Sequence, residues 1–187
     1  MKRNFLVILS LLFLVACSDL KKGEQLKKVQ ELQTSLDSIK KSWNEADIKK
    51  IDSISAICHT TIDSISLLYD DRYVPMSLAI KLDQFKQCNQ GMDELKRIHA
   101  FFPTLLVDKM QALEKLKKDI QEGKGRREKY DEYLAFEKNE LITIDMQYKR
   151  YLFTKKKSFD NYSKSNDAVC QFLDELKIAL AQSHTSN

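Results

Sequence analysis

The sequence predicts an all-α fold, built as an elongated, antiparallel, coiled-coil-like bundle of about three long arms with kinks. Apolar residues recur three and four positions apart through most of the chain, the spacing that places them on one face of a helix. Only four Gly and two Pro occur in 187 residues, so few turns are available and long helices are expected. The competing arrangement is a compact globule of four or five shorter helices, broken at the same points.

The first arm, residues 20–68, carries an apolar face that is interrupted at residues 44–47. The segment "NEAD" there predicts a new helix start or a local disturbance. The face consists of Leu26, Val29, Leu32, Leu36, Ile39 and Trp43, followed by Ile51, Ile54, Cys58, Thr61, Ile65 and Leu68. The segment "YDDRYVP" (69–75) predicts the first turn.

The second and third arms cover residues 77–122 and 126–182, joined by a second turn at "EGKGR". Pro103 ends or kinks the second arm, because proline lacks a backbone donor and clashes with the preceding helical turn. Residues 158–167 are poor in helix formers, which predicts a break in the third arm. The two apolar faces are Leu78, Leu82, Phe85, Cys88, Met92, Leu95, Leu106, Met110, Leu113, Leu116 and Ile120, then Tyr130, Leu134, Leu141, Ile144, Tyr148, Tyr151, Tyr162, Val169, Phe172 and Leu176.

Folding about the first turn pairs positions whose numbers sum to about 145, as expected for an antiparallel helical pair. This register places Trp43 opposite Pro103, and Cys58 opposite Cys88. Cys58, Cys88 and Cys170 all lie on or near apolar faces, so buried thiols are the first expectation. A disulfide between Cys58 and Cys88 is the alternative.

The N-terminus reads as a secretory signal: Lys2 and Arg3 precede an apolar run too short for a membrane span. Its end, Leu14-Val15-Ala16-Cys17, resembles the lipobox of bacterial lipoproteins. The resemblance implies cleavage before Cys17, acylation of Cys17 and attachment to a membrane through that lipid. The predicted organisation is a signal peptide at 1–16, a lipidated tether at 17–22 and a helical bundle domain at 23–187. A plain signal peptide or an uncleaved anchor is the alternative.

The triplet Asp-Ser-Ile occurs three times, with the serines at Ser38, Ser53 and Ser64. It resembles the Asp-(Ser/Thr)-apolar acceptor of the general O-glycosylation system of Bacteroides-type bacteria, which implies that these three serines carry glycans. The alternative is structural. Two of the copies stand eleven residues apart, about three helical turns, so their isoleucines return to the core face and their serines form a solvated stripe.

No pattern predicts a catalytic residue, a metal site or a cofactor. The chain has no Gly-rich phosphate loop, no Gly-x-Ser-x-Gly and no His-Glu-x-x-His, and His59, His99 and His184 are scattered. Removal of residues 1–16 leaves 29 of the 31 basic residues against 27 acidic ones, a balance too even to favour nucleic-acid binding.

The second turn combines basic and aromatic residues, both favoured at protein interfaces. Arg126, Arg127, Tyr130 and Tyr133 are therefore candidate partner-binding residues, the alternative being an ordinary hairpin tip with its aromatics turned inward. The surrounding segment "KKDIQEGKGRREKYDEYLAFEKNEL" resembles the small helical lipoproteins of Bacteroides-type bacteria, a group that implies a location and a fold but no reaction.

These observations predict a non-enzymatic, lipid-anchored spacer or protein-binding module of the cell envelope, on the periplasmic side of the outer membrane, whose partner is another envelope protein. The alternative function is a carrier of a small ligand or lipid that uses a cavity in the bundle.

Overall fold

The computed structural model describes residues 2–43, 47–69 and 72–185, with the side chains of 21–43, 47–69 and 72–183. The described residues form four α-helices and one short 3₁₀ turn, and no strand. The helices are α1 (Lys2–Ser42), α2 (Asp47–Leu68), α3 (Met76–Glu122) and α4 (Tyr130–Thr185), and the 3₁₀ turn (Arg127–Lys129) precedes α4. The all-α helical bundle predicted from the sequence is confirmed.

The chain divides into two compact units, each made of helices that pack against one another. Unit 1 contains residues 1–43 and 103–147, and unit 2 contains residues 44–102 and 148–187. The boundaries coincide with the interruption predicted after Trp43 and with Pro103. Pro103 lies inside α3, so it marks a unit boundary without ending the helix.

In unit 1, α1 packs against the second half of α3 and the first half of α4. Lys117 Nζ donates to Gln30 Oε1 at 2.8 Å, close to the predicted antiparallel register. Gln25 Nε2 donates to Asp131 Oδ1 at 2.9 Å and ties α1 to α4. The buried apolar residues of this unit are Val29, Leu36, Ile39, Leu106, Leu113, Leu116, Ile120, Tyr130, Leu134, Leu141 and Ile144.

In unit 2, α2 packs against the first half of α3 and the second half of α4. Phe85 and Tyr162 stack with their ring centroids 6.3 Å apart, and Lys155 forms an ion pair with Asp47. The buried apolar residues are Ile51, Ile54, Cys58, Phe85, Cys88, Met92, Leu95, Phe102, Tyr151, Val169, Phe172, Leu173 and Leu176. Nearly all of them lie on the apolar faces predicted from the sequence.

The break predicted at residues 158–167 is wrong, because α4 runs through this segment without interruption. Ser158 and Ser165 are buried, and Ser165 Oγ donates to the Asn161 carbonyl one turn earlier at 2.6 Å. Small serine side chains can pack between helices, and a hydroxyl such as that of Ser165 is satisfied within the helix, so these residues remain helical despite a weak intrinsic propensity. Packing therefore outweighs propensity here.

The second turn depends on two glycines and one tyrosine. Gly123 and Gly125 adopt φ values of +65° and +77°, a region that costs residues with a Cβ about 1 kcal/mol or more. Tyr130 Oη then donates to the carbonyl of Asp119 at 2.8 Å and also contacts the carbonyl of Lys124. The tyrosine thus joins the end of α3 to the start of α4.

Candidate functional site

The predicted lipidation residue, Cys17, is part of helix α1. Its side chain lies outside the residues whose side chains are described. The segment predicted as a tether is helical, and Lys21 Nζ contacts Asp131 Oδ2 at 3.1 Å. No helix in the described ranges is long and apolar enough to cross a bilayer.

The candidate residues of the second turn occupy different environments. Tyr130 is only 4% exposed, and burial raises its pKa, so its ring cannot serve as a partner-binding surface. Arg127 Nε donates to the Gly123 carbonyl at 2.7 Å and so supports the turn itself. Arg126 and Tyr133 are exposed. Arg127 is exposed as well, so three of the four predicted residues remain available to a partner and Tyr130 does not.

A further group of exposed large apolar residues lies at the other turn, in unit 2. We call it the α2–α3 tip and define it as Leu67, Tyr69, Tyr73, Met76 and Ile80. Leu67, Tyr73 and Met76 expose 83%, 87% and 75% of their surface. Sequence reasoning treated this segment only as a turn. The signal it missed was the density of large apolar side chains around "YDDRYVP", which exceeds what a turn requires.

A cleft of about 550 Å³ lies beside the α2–α3 tip, within unit 2. Its lining includes the buried residues Phe85, Val169 and Phe172, and Asp83 and Lys86 supply charged groups. The volume falls in the range of small-molecule sites, which are mostly apolar with a few polar groups.

The three serines of the Asp-Ser-Ile triplets all lie on helices, Ser38 on α1 and Ser53 and Ser64 on α2. Ser38 and Ser53 are exposed. Ser64 is half-buried, and its Oγ donates to the Thr60 carbonyl at 2.7 Å. The hydroxyls of Ser38 and Ser53 are therefore the more accessible acceptors.

Cys58 on α2 and Cys88 on α3 face each other in the core of unit 2. Their Sγ atoms lie 3.8 Å apart, without a bond between them, and both residues are fully buried. The hydrogen bond between the two thiols lowers the pKa of Cys88 and, together with burial, raises the pKa of Cys58. Cys170 on α4 is half-buried, and burial raises its pKa.

Near this pair, the fold brings together polar residues that the sequence did not connect. Asp93 Oδ1 accepts from Ser55 Oγ at 3.3 Å and from His59 Nε2 at 3.0 Å. Asn89 Nδ2 lies 3.5 Å from His59 Nδ1. Both imidazole nitrogens are thereby engaged, and Ser55 is fully buried. The arrangement holds α2 against α3 and does not present Ser55 as a nucleophile with His59 as its base.

Among the described residues, no group of three or more His, Cys, Asp or Glu side chains is placed to hold a metal ion. Comparisons with protein-family models, curated proteins and solved structures found no match.

Proposed function

We propose that this protein is a lipid-anchored, non-enzymatic component of the cell envelope that acts as a protein-binding module, held on the periplasmic side of the outer membrane through Cys17. The resemblance of Leu14-Val15-Ala16-Cys17 to a lipobox supports the anchor. The observation that carries the binding role is the α2–α3 tip. Its large apolar side chains are exposed around one turn, exposed apolar surface beyond scattered single residues commonly marks an interaction site, and Tyr and Met are enriched in protein interfaces.

The partner expected at the α2–α3 tip is another envelope protein with an apolar surface of its own. The tip residues are bulky and uncharged, so binding would come from burial of apolar area, at roughly 25 cal/mol per Å². Truncation of central aromatic anchors commonly costs 2 kcal/mol or more. A spacer would need no such surface.

The test compares two variants of the tagged lipoprotein expressed in its own host. The tip variant is Tyr73→Ser with Met76→Ser. The control is Phe136→Ser with Met146→Ser, which removes two equally large side chains exposed on α4 in unit 1. After crosslinking in the membrane, we expect the tip variant to lose a partner that both the wild type and the control retain. Identical partners for all three proteins would mean that binding does not use the α2–α3 tip, and no partner for any of them would leave the spacer role.

The cleft beside the tip favours a second candidate function, carriage of a small apolar ligand. Ala79 lines the cleft, so Ala79→Phe should fill part of it, whereas Ala56→Phe places the same side chain on an exposed position of α2. A carrier would release a bound apolar molecule on organic extraction of the wild type and of Ala56→Phe, but not of Ala79→Phe. Extracts without such a molecule from all three proteins would exclude this function.

A further inference from the structure

Cys58 and Cys88 lie one on each of two neighbouring antiparallel helices, at the level that the register predicts. Their sulfurs are 3.8 Å apart, and a disulfide bond is about 2.05 Å long. The sulfurs must therefore approach by roughly 1.8 Å, which side-chain rotation and a small shift of α2 against α3 can supply. Cys170 lies on α4, and its Sγ donates a hydrogen bond to Asn166 Oδ1 of the same helix at 3.7 Å. Its thiol is therefore engaged within α4.

We propose that Cys58 and Cys88 form an intramolecular disulfide while the chain folds, and that Cys170 stays a thiol. The proposal goes beyond the binding role but shares its premise of export, because exported proteins meet oxidising conditions and cytosolic ones do not. Folding is the relevant moment, since both thiols are fully buried afterwards and a bulky oxidant cannot reach them.

The reaction is thiol–disulfide exchange with an external disulfide, such as that of a disulfide oxidoreductase or of oxidised glutathione. One cysteine thiolate attacks the oxidant, breaks its S–S bond and forms a mixed disulfide, releasing one thiol. The second cysteine then attacks the first, releases the other thiol and closes the bond. Two protein thiols are oxidised, the oxidant is reduced to two thiols, and both protons go to the released thiolates.

The bond can be tested without export. The full chain, with Cys17→Ser so that three thiols remain, is unfolded and reduced in detergent and then refolded with oxidised and reduced glutathione. After alkylation under denaturing conditions, trypsin places the three cysteines in separate peptides, 51–72, 87–96 and 165–177. We expect the first two peptides to be joined, two hydrogen atoms lighter than their sum, and the third to be alkylated. Alkylation of all three, or a bond that includes Cys170, would overturn the proposal.

Thermal melting gives an independent readout that does not depend on peptide recovery. The disulfide closes a loop of about 30 residues, so the oxidised protein should melt roughly 10 °C above the reduced protein. Cys170→Ala should show the same difference, whereas Cys58→Ala and Cys88→Ala should melt at temperatures that glutathione does not change. A wild-type melting temperature that is equal in both redox states would contradict the proposal. Detection of the joined peptides in vitro but not in protein from the host would instead contradict export.

Discussion

Gly91 on α3 lies directly against Ser158 on α4. A Cβ atom built on Gly91 would come within 2.0 Å of Ser158 Oγ and 3.2 Å of Ser158 Cβ. Ser158 is itself buried, so neither helix can move aside without disturbing the core. The two small residues let α3 and α4 pack closely at this level, and the burial of Ser158 against Gly91 explains why this weak helix former stands inside a long helix.

We predict that Gly91→Ala destabilises the protein, although alanine is the better helix former. The propensity gain is about 1 kcal/mol, whereas overpacking a close contact costs about 1–3 kcal/mol. Denaturant unfolding should show a net loss for Gly91→Ala and a partial recovery when Ser158→Ala is added, because the Oγ that causes the 2.0 Å contact is then absent. A Gly91→Ala protein more stable than the wild type would mean that the gain in helix propensity outweighs the cost of the close contact with Ser158.

The ion pair of Lys109 with Glu137 is buried in unit 1. Lys109 Nζ lies 2.9 Å from Glu137 Oε2 and 3.7 Å from Glu140 Oε2, and the Lys109 side chain is only 10% exposed. Glu137→Ala would leave a buried ammonium group with the longer contact to Glu140 and the Phe136 ring, whose centroid is 5.6 Å away. We expect a loss of about 3 kcal/mol in the free energy of unfolding, and a smaller loss for Lys109→Met combined with Glu137→Leu, because no unpaired charge remains.

A matched control for this pair lies on the surface of α4. Lys177 and Asp174 are 3.1 Å apart, but both side chains are more than half exposed. Asp174→Ala should change the free energy of unfolding by less than about 0.5 kcal/mol. Equal effects of Glu137→Ala and Asp174→Ala would show that burial of the Lys109 pair has no energetic consequence.

The apolar periodicity was sufficient to predict the helices and most of the core. In a long helix the buried residues recur every three or four positions, so the pattern is easy to follow. It also placed Cys58 opposite Cys88, since one turn position fixes an antiparallel register. It failed at Ser158, where a side chain too small to signal burial is buried against Gly91. Propensity is a local quantity, whereas this contact joins residues 67 positions apart.

The site was less predictable than the core. The sequence placed Tyr130 both on the apolar face of the third arm and among the candidate partner-binding residues, and only the geometry shows that it is buried, with its hydroxyl bonded within the turn. The exposure of Tyr73 and Met76 was likewise invisible in the pattern. Whether a side chain beside a turn packs inward or outward depends on how the turn closes, which periodicity does not encode.

Stability should fall at high pH in a manner that depends on Tyr151. Burial raises the pKa of this tyrosine to about 12, with Asp47 as a smaller cause, whereas an unfolded tyrosine titrates near pH 10. The folded state holds the proton more tightly, so this stabilisation is complete below about pH 10. It is lost as the pH rises from about 10 through 12, by roughly 3 kcal/mol in total.

Tyr151→Phe removes this titration and leaves the lysines unchanged. The variant should lose stability less steeply between about pH 10 and pH 12 than the wild type does. Chemical denaturation at a series of pH values measures both curves. Parallel curves would mean that Tyr151 ionises as it does in the unfolded chain.

We predict that Ser38 and Ser53 are glycosylated before Ser64 if the triplets are acceptor sites, because the Ser64 hydroxyl is half-buried and bonded to Thr60. Intact mass of the protein from its host should then show up to three equal increments. Asp52→Ala should remove one increment and change the free energy of unfolding by about 0.5 kcal/mol or less, since it breaks only an exposed contact with Lys96. A mass without increments would contradict glycosylation and support the alternative, in which the repeated serines only form a solvated stripe.

The N-terminus of the mature protein tests the central claim most directly. Intact and peptide mass spectrometry of the detergent-extracted protein should show a chain that begins at Cys17 and carries acyl groups there. Two or more acyl chains are needed for stable anchoring, so Cys17→Ala should leave the membrane fraction. A chain that retains residues 1–16, or one that is cleaved without acylation and still partitions with the membrane, would contradict a lipid-anchored envelope protein.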